Sequence, residues 1–592
     1  MTLNILNKIN EPKDLKYLSR EELNLLSSEI RDVLIKRVST TGGHFGPNLG
    51  MVEATIALHY VFNSPVDKFV YDVSHQSYVH KMLTGRKEAY INPEKFKTVT
   101  GYTEPKESAH DFFTIGHTST SISLACGLAK GRDAEGSNEN IIAIIGDGSL
   151  SGGEAYEGLN NAAASNKNII ILVNDNDISI AENHGGLYKN LAQLRESEGK
   201  LDNNFFKSLG FEYHFVKDGN NLESLIETFE KVKDTTRPVV VHMHTIKGKG
   251  YEDAENNKES FHWVMPFDLE TKEPLFKGEY VKSYGDITED FLIEKAKKDK
   301  SIVAITAATP GIVGVNRFRS ELQDQYVDVG IAEEHAIALA SGMAKRGAKP
   351  VAAFLSSFIQ RTYDQLSQDL AINNNPATIM VYWGGISGSD VTHLGLFDIP
   401  LISNIPNMVY LAPTTKEEHL AMVDWAIEQD KHPVAIRVPN MEVVSTGVAV
   451  EANFDELNKY VMVEEGKDVA IIGLGSFFHL GKKVQERLRN TGINATLINP
   501  RFITGVDEDL LNELKENHKV VITLEDGILD GGFGEKISRF YGNSQMRVLN
   551  FGATKEFTDS VELDVLYERY HLTEELIVED IEKVLADIKV FA

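Results

Sequence analysis

The stretch IIGDGSLSGGEAYEGLNNAAASNKNIIILVNDND, residues 144 to 177, decides the fold. One apolar run ends at Gly146, a helix-like stretch follows, and a second apolar run continues to Asn174. This is one strand-helix-strand unit of about 30 residues. Its right-handed crossover places the carboxyl ends of two parallel strands side by side, where open α/β sheets bind ligands. We therefore expect Asp147 and Asn176, which follow these strands, to lie close together.

The residues at these two strand ends suit a divalent metal ion and a phosphate group. The Asp147 carboxylate, the Asn176 amide and the Ile178 carbonyl are hard oxygen ligands of the kind that Mg²⁺ prefers. Gly146 and Gly148 allow the backbone to approach an anion, and the start of the following helix offers free N–H groups. The pattern predicts a diphosphate site, while GDG taken alone is also compatible with a simple tight turn at a strand end.

Short β-branched runs of this kind recur along the chain between amphipathic stretches. Continuous apolar runs separated by helical segments are typical of parallel strands covered on both faces. The fold class is therefore predicted to be α/β. The runs occupy residues 140–146, 168–174, 238–243, 301–306, 350–355, 378–383, 433–438, 468–475 and 519–525.

Two interruptions in this pattern indicate domain boundaries. Apolar periodicity lapses through the charged residues 252–280, and a second break follows the segment PVAIRVPNMEVVSTG. The sequence thus predicts three α/β domains, residues 1–283, 284–450 and 451–592. This agrees with the length, because 592 residues correspond to three or four domains of about 150 residues.

Composition excludes several classes of protein. Hydrophobic residues make up 42% and charged residues 25%, as in ordinary globular chains. The net charge of −27 disfavours binding to nucleic acid or anionic membranes. A single cysteine, Cys126, excludes an intrachain disulfide and a metal cage of cysteines alone. The N-terminal residues lack the apolar core of a secretory signal, and the apolar runs are far shorter than the about 18 residues of a membrane helix, so we expect a cytoplasmic protein.

Further segments, in chain order, carry a resemblance to one known family. They are TGGHFGPNLGMVEATIALHYVF (41–62), DVSHQSYVHKMLTGR (72–86), GHTSTSIS (116–123), KGKGYEDAE (247–255), FHWVMPFD (261–268), DVGIAEEHA (328–336), SSFIQRTYDQ (356–365) and GGFGEKI (531–537). With the GDG and NDN motifs, these segments resemble the thiamine-diphosphate-dependent transketolase superfamily. Within it, the chain is most similar to the 1-deoxy-D-xylulose-5-phosphate synthase family.

The resemblance implies both an architecture and a reaction. Three doubly wound domains are expected, two thiamine-diphosphate-binding folds and a transketolase C-terminal-like domain, with the active site between the first two and a homodimer as the assembly. The implied enzyme is a transferase that decarboxylates pyruvate and joins the two-carbon unit to glyceraldehyde 3-phosphate, giving 1-deoxy-D-xylulose 5-phosphate and CO₂. Its cofactors are thiamine diphosphate and Mg²⁺.

The resemblance also implies which residues hold the cofactor. Asp147, Asn176 and the Ile178 carbonyl are expected to bind Mg²⁺, and Tyr251 and Phe358 to contact the cofactor, with Phe358 stacking on its pyrimidine ring. The residues expected around the diphosphate and thiazolium are His75, Gly116, His117, Thr118, Gly148, Ser149 and Asn176.

Catalytic and substrate-binding roles follow in the same way. Glu333 matches the glutamate that shares a proton with the pyrimidine ring, a task that requires a carboxyl group in a dry site. The resemblance implies that four histidines transfer protons and hold the carboxylate of the donor substrate. We expect their side chains to line the active-site pocket. These are His44, His75, His117 and His262. On the acceptor side, the implied residues are Arg361 and Arg437 for the phosphate and Asp390 and His393 for hydroxyl contact and proton transfer.

The acceptor-binding segments depart from the family pattern. Trp383 stands at a usual arginine, Leu355 at a usual tyrosine, and Asn440 at the second arginine of a YPRG-like motif. The loop containing Asp390 and His393 is one residue shorter than usual. A transketolase-like enzyme or a 1-deoxyketose synthase with another aldehyde acceptor therefore stays open as an alternative. A cofactor-binding paralogue without activity is disfavoured, because such a protein has no need of the glutamate that relays the proton.

Overall fold

The structure is a computed structural model that describes residues 3–165, 167–276, 278 and 281–591, with side chains as far as residue 588. The chain forms two compact units, residues 1–279 with 330–332 and residues 280–329 with 333–592. Within the described residues, each unit contains its own clusters of buried apolar side chains.

The first unit is organised around a parallel sheet of five strands. Its strands are β1 Gly43–His44, β2 Lys68–Tyr71, β3 Ile141–Gly146, β4 Ile169–Asp175, β5 Glu212–Val216, β6 Pro238–His244 and β7 Trp263–Val264. The large sheet has the order β2-β3-β4-β6-β5, and β1 pairs with β7 in a separate antiparallel ribbon. All seven residues of β4 are buried, as expected for a strand covered on both faces.

Helices cover both faces of this sheet. The helix Leu222–Val232 shows why they form, since its apolar residues recur at helical spacing and Asn221 caps its first turn by accepting from Ser224 N. The helices are α1 Arg20–Thr41, α2 Gly46–Gly50, α3 Val52–Val61, α4 Tyr78–Lys81, α5 Glu88–Ile91, α6 Ser121–Glu135, α7 Gly153–Ala164, α8 Gly186–Glu196, α9 Phe205–Leu209, α10 Leu222–Val232 and α11 Glu252–Asn256. Short 3₁₀ segments lie at Leu6–Lys8, Pro12–Tyr17, Pro93–Thr98 and Gly148–Ser151, and a π-helical turn at Met82–Arg86.

The second unit contains two sheets. Its strands are β8 Ile302–Thr306, β9 Tyr326–Asp328, β10 Lys349–Leu355, β11 Thr378–Tyr382, β12 Val409–Leu411, β13 Val434–Arg437, β14 Val461–Glu464, β15 Asp468–Gly473, β16 Thr496–Asn499, β17 His518–Ile528 and β18 Arg547–Ala553. The first sheet is parallel, with the order β12-β13-β11-β10-β8-β9. The second has the order β14-β16-β15-β17-β18, and only its edge strand β14 runs antiparallel.

Eleven helices surround these two sheets within the described residues. They are α12 Tyr284–Lys298, α13 Asn316–Glu321, α14 Glu333–Lys345, α15 Ser356–Ile359, α16 Asp398–Ser403, α17 Lys416–Glu428, α18 Phe477–Asn490, α19 Glu508–Asn517, α20 Phe533–Tyr541, α21 Leu563–Arg569 and α22 Glu574–Phe591. Two 3₁₀ segments, Gln323–Gln325 and Gln360–Thr362, and a π-helical segment, Gln365–Ala371, complete the unit.

The predicted α/β class is confirmed, and each of the nine apolar runs contains a strand. The predicted division into three domains stays a prediction, since the structure groups the last two sheets in one compact unit. In the part of the chain that the structure describes, no helix has the length and apolar character needed to span a bilayer.

Candidate active site

The predicted metal ligands lie at the neighbouring ends of β3 and β4. Gly146 pairs with Asn174, and the Asp147 N–H donates to the Asn174 carbonyl at 3.0 Å. Asp147 is 2% exposed and Asn176 is 8% exposed. Asn183 Nδ2 donates to Asp147 Oδ2 at 2.7 Å. The crossover therefore places the two strand ends side by side, as expected from the sequence. Both polar side chains are buried at this edge, which is formed by the carboxyl ends of the strands.

Two features of this edge fit an oxygen-liganded cation. Asn176 Oδ1 is buried and has no hydrogen-bond partner among the described residues. Burial, together with the charge of nearby Asp175, raises the pKa of Asp147 to about 8. A divalent cation would satisfy the first atom and stabilise the ionised form of the second. Ile178 forms an isolated β-bridge with Glu182, and its service as a third ligand stays a prediction.

The loop between β3 and α7 leaves no room for a side chain at Gly148. A Cβ at this position would lie 2.4 Å from Ser179 Cβ, far inside van der Waals contact. Two backbone segments, one after each strand, therefore approach closely beside the buried ligands. Such close approach is what a glycine permits at a phosphate-binding turn.

Asp72, which the sequence reasoning did not single out, anchors a second loop to this edge. It follows β2 directly, and its two oxygens accept from the N–H groups of Ser119 at 2.8 Å and Ser121 at 3.0 Å. Ser119 Oγ in turn donates to the Ser149 carbonyl at 2.8 Å. These bonds bring the loop that contains Gly116, His117 and Thr118 to the loop after β3. The available signal was an acid directly after an apolar strand, the same pattern as at Asp147.

Three of the four singled-out histidines form one cluster. Ring centroids lie 4.9 Å apart for His44 and His75, 5.5 Å for His44 and His262, and 5.3 Å for His75 and His262. Asn48 Nδ2 donates to the backbone carbonyls of His44 and His75, each at 2.8 Å. The pairing of His44 with Trp263 in the β1–β7 ribbon brings the third imidazole to the other two.

Lys247 is a further buried cation that sequence reasoning missed. Its Nζ donates to the Ser179 carbonyl at 2.6 Å and lies 3.1 Å from His262 Nδ1. Burial lowers the pKa of Lys247 to about 7, and burial with the neighbouring lysine charge lowers the pKa of His262 well below its usual value. The group thus combines a neutral imidazole with an amine that titrates near neutrality, which suits proton transfer and carboxylate binding.

Tyr251 lies among aromatic rings in the first unit. Its ring centroid is 5.2 Å from that of Phe45 and 5.7 Å from that of Phe261. Its hydroxyl group is buried and has no hydrogen-bond partner among the described residues. A contact between Tyr251 and a cofactor stays a prediction.

In the second unit, Glu333 begins α14 and is 4% exposed. Its Oε2 lies 4.0 Å from Arg361 Nη1 and has no hydrogen-bond partner among the described residues. Burial raises the pKa of Glu333 to about 7, although the Arg361 charge acts in the opposite direction. A carboxyl group that titrates near neutrality and presents one unsatisfied oxygen suits proton exchange with a bound ring.

The structure brings three other predicted residues of the second unit together, Phe358, Asp390 and His393. The ring centroids of Phe358 and His393 are 5.6 Å apart, and His393 Nδ1 lies 3.2 Å from Asp390 Oδ1. Thr392 N donates to the same Asp390 oxygen at 2.9 Å. Burial raises the pKa of Asp390, but the His393 and Thr392 contacts outweigh it and hold that pKa below its usual value. The shortened loop therefore keeps its acid and its histidine in direct contact.

Arg437 is the last residue of β13 and is 6% exposed. Its Nε donates to Asp398 Oδ2 at 2.7 Å, and its Nη1 forms a second ion pair with Asp526. Two carboxylates within the unit therefore compensate its charge. The predicted phosphate contact of Arg437 stays a prediction.

Comparison with known protein families divides the chain into three matched regions. Residues 6–202 and 198–245 match the family described as 1-deoxy-D-xylulose-5-phosphate synthase. Residues 282–444 match the transketolase pyrimidine binding domain, and residues 458–577 match the transketolase C-terminal domain.

Curated relatives match over nearly the whole chain. A 1-deoxy-D-xylulose-5-phosphate synthase of Natranaerobius thermophilus is 40% identical over 572 residues, covering 90% of each chain. One of Caldanaerobacter subterraneus subsp. tengcongensis is 39% identical over 616 residues, covering 98% of each. Among solved structures, a transketolase from Pichia stipitis aligns with 96% of this chain and 98% of its own, with 15% identity and a TM-score of 0.45.

Proposed function

Because the chain belongs to the 1-deoxy-D-xylulose-5-phosphate synthase family, we propose that it decarboxylates pyruvate and joins the two-carbon unit to an aldehyde. With glyceraldehyde 3-phosphate as acceptor, the products are 1-deoxy-D-xylulose 5-phosphate and CO₂. One proton is consumed, because the aldehyde oxygen of the acceptor becomes a hydroxyl group.

The observation that supports this proposal is a pair of unsatisfied buried oxygens. Asn176 Oδ1 and Glu333 Oε2 are each buried without a hydrogen-bond partner among the described residues. Leaving a buried polar atom unpaired costs about 1–3 kcal/mol, so a ligand that pairs with these two atoms would recover that free energy on binding. A divalent cation would satisfy the first, and a protonated ring nitrogen would satisfy the second.

We propose that Asp147, Asn176 and the Ile178 carbonyl hold Mg²⁺ and that the loops at residues 116–118 and 148–149 hold the diphosphate of thiamine diphosphate. When bound, this cofactor supplies a carbon nucleophile and an electron sink. Glu333 holds and exchanges a proton with its pyrimidine ring, and its pKa of about 7 lets it do so near neutral pH. Phe358 and Tyr251 offer aromatic faces that restrain its rings.

The remaining residues act on the substrates. His44, His75 and His262, with Lys247, hold the pyruvate carboxylate and move protons during bond formation. Asp390 orients His393 through their 3.2 Å contact, so that the imidazole can exchange a proton with the acceptor's oxygen. Arg361, beside Glu333, contacts the acceptor.

We also propose that the enzyme is a homodimer, as the resemblance implies. Sedimentation equilibrium at micromolar concentration would then give twice the chain mass of 65.8 kDa. A monomeric mass that persists as the concentration is raised would contradict this assignment.

The central test supplies the purified chain with pyruvate, glyceraldehyde 3-phosphate, thiamine diphosphate and Mg²⁺. We expect CO₂ release and formation of a five-carbon product of the mass of 1-deoxy-D-xylulose 5-phosphate. The Glu333→Gln variant should lose about 10²–10⁴-fold in turnover, the usual contribution of a positioned proton donor. Calorimetry should show that this variant still binds the cofactor.

Glu334→Gln is the matched control, because the neighbouring carboxylate is only half-buried and has no assigned role. It should retain full turnover. Turnover by Glu333→Gln equal to that of the control would contradict the proposed proton relay. Failure of the unaltered chain to release CO₂ from pyruvate would contradict the proposed activity.

A further inference from the structure

Leu355, Trp383 and Asn440 lie at or just beyond the carboxyl ends of three neighbouring strands in the second unit. Leu355 ends β10 and pairs with Tyr382, and Trp383 follows directly. Strand β13 pairs with β11 as far as Arg437, and Asn440 stands three residues beyond. Because ligands of α/β sheets bind at the carboxyl ends of parallel strands, the edge formed by the carboxyl ends of β10, β11 and β13 is a place for substrate recognition.

The backbone holds Trp383 in an unusual conformation at this edge. Its φ of +57° is rare for a bulky residue, and its side chain is 52% exposed. Gly385 N donates to the Gly395 carbonyl at 2.8 Å, and a Cβ on Gly395 would lie 2.1 Å from the Trp383 carbonyl oxygen. The loop thus closes tightly on the strand end. Backbone strain of this kind collects at ligand sites, where the surrounding structure maintains it.

The charges beside Trp383 do not favour a phosphate group. A Cβ on Gly384 would lie 2.7 Å from Arg437 Nε, so this guanidinium packs against the backbone next to Trp383. Asp398 and Asp526 both pair with Arg437. The two carboxylates compensate the Arg437 charge, so this guanidinium attracts a phosphate dianion little more than it attracts an uncharged group.

Arg361, the other predicted phosphate ligand, is also balanced by a carboxylate. Its Nη1 lies 4.0 Å from Glu333 Oε2. The polar pair formed by Asp390 and His393 can still bind an acceptor's hydroxyl or carbonyl oxygen. The edge therefore offers the acceptor the aromatic ring of Trp383 and the polar pair formed by Asp390 and His393.

We propose that this edge recognises the uncharged part of the aldehyde, with Trp383 packing on its carbon chain or ring. Unphosphorylated aldehydes then serve as acceptors about as well as glyceraldehyde 3-phosphate. This inference rests on the proposed function, because it concerns the second substrate of the same reaction. In that step CO₂ leaves pyruvate, the remaining electron pair forms the bond to the aldehyde carbon, and the aldehyde oxygen takes up a proton.

The first experiment compares kcat/KM for glyceraldehyde 3-phosphate, D-glyceraldehyde and propanal with the cofactor-loaded enzyme. One charge-assisted contact changes affinity by about tenfold or more. We expect the phosphorylated acceptor to be preferred over D-glyceraldehyde by less than about tenfold. A larger preference for the phosphorylated acceptor would overturn the inference.

The second experiment tests the residues. Trp383→Ala should raise KM for propanal by at least about tenfold, the effect of losing an aromatic contact surface. The double variant Trp383→Arg, Asn440→Arg should shift selectivity towards glyceraldehyde 3-phosphate by at least about tenfold. Tyr17→Ala, which removes an aromatic ring exposed in the other unit, is the control and should change neither value. An unchanged KM in Trp383→Ala would overturn the role of this ring.

The two proposals fail in different ways. If no aldehyde supports CO₂ release from pyruvate, the proposed function is wrong. If CO₂ release occurs but requires the phosphate group on the acceptor, only the inference about this edge is wrong.

Discussion

At the scale of single residues, Glu333 shows how burial prepares a group for proton exchange. Its carboxyl group is surrounded by protein and lies 4.0 Å from one guanidinium nitrogen. Burial disfavours the charged form, and Arg361 compensates only in part, so the pKa rises from 4.5 to about 7. The same environment that suits catalysis therefore costs stability when the group ionises.

This cost predicts a pH dependence of stability for the cofactor-free chain. Between the unfolded value of 4.5 and the folded value of about 7, the folded state binds the Glu333 proton more tightly than the unfolded state. The stability contributed by this group is thus complete below the lower value and is lost as the pH rises through the upper one. The total loss is about 3 kcal/mol.

The measurement is the free energy of unfolding in urea at a series of pH values for the unaltered chain and for Glu333→Gln. The variant should gain stability relative to the unaltered chain as pH rises, because its amide never ionises. A difference between the two proteins that stays constant with pH would contradict the raised pKa.

At the scale of elements, the turn after β3 depends on the absence of a side chain at Gly148. Gly148→Ala would place a Cβ 2.4 Å from Ser179 Cβ and force the two strand-end loops apart. We expect the rise in melting temperature produced by thiamine diphosphate with Mg²⁺ to disappear in this variant. Gly153→Ala, five residues along the chain, meets nothing within 4 Å and should retain that rise. Equal responses of the two variants would contradict a binding role for the turn.

Arg437 connects three elements of the second unit. It ends β13, Asp398 begins α16, and Asp526 lies in β17. Arg437→Ala would leave two buried carboxylates without their cation, which costs about 3–5 kcal/mol of unfolding free energy. Removing an exposed pair, as in Arg487→Ala, should cost less than about 1 kcal/mol. Urea unfolding measures both, and a small loss for Arg437→Ala would show that its ion pairs contribute little.

The elements differ in how readily the sequence predicts them. Strands such as β4 and β6 are long apolar runs, because both faces of the sheet are covered. The strand β5, EYHFV, was missed because it lies at the sheet's edge and is largely not buried. The short strand β12 was missed because three residues carry too little pattern.

The candidate site was predictable where its chemistry is local in sequence. Asp147 and Asn176 follow two strands joined by one crossover, so their proximity could be derived. The ion pairs of Arg437 join residues 39 and 89 positions away, so its sequence context could not distinguish a substrate ligand from a structural cation. Lys247 was missed for the same reason, since its burial between Ser179 and His262 arises only in the folded unit.

At the scale of the whole molecule, local charge and net charge act in opposite directions. The chain carries a formal charge of −27, which repels anions at long range. The first unit nevertheless gathers Lys247 and three imidazoles in one cluster. Protonated Lys247 therefore attracts a small anion only within the short distance over which salt does not screen its charge, about 8 Å at physiological ionic strength.

The division into two compact units predicts where the chain is cut first by a protease. Each unit has its own buried apolar clusters, whereas Leu275 is 51% exposed and Phe276 is 74% exposed shortly before residue 280, where the chain first passes from one unit to the other. Exposed segments with few buried contacts are the preferred sites of nicking. Limited trypsin digestion should therefore cut first between residues 265 and 283, while exposed lysines within regular helices, such as Lys482 and Lys483 in α18, stay intact. Mass spectrometry of the first fragments identifies the bonds that are cut. First cleavage within α18 would contradict the division, since a helix packed on its own unit should be protected until that unit unfolds.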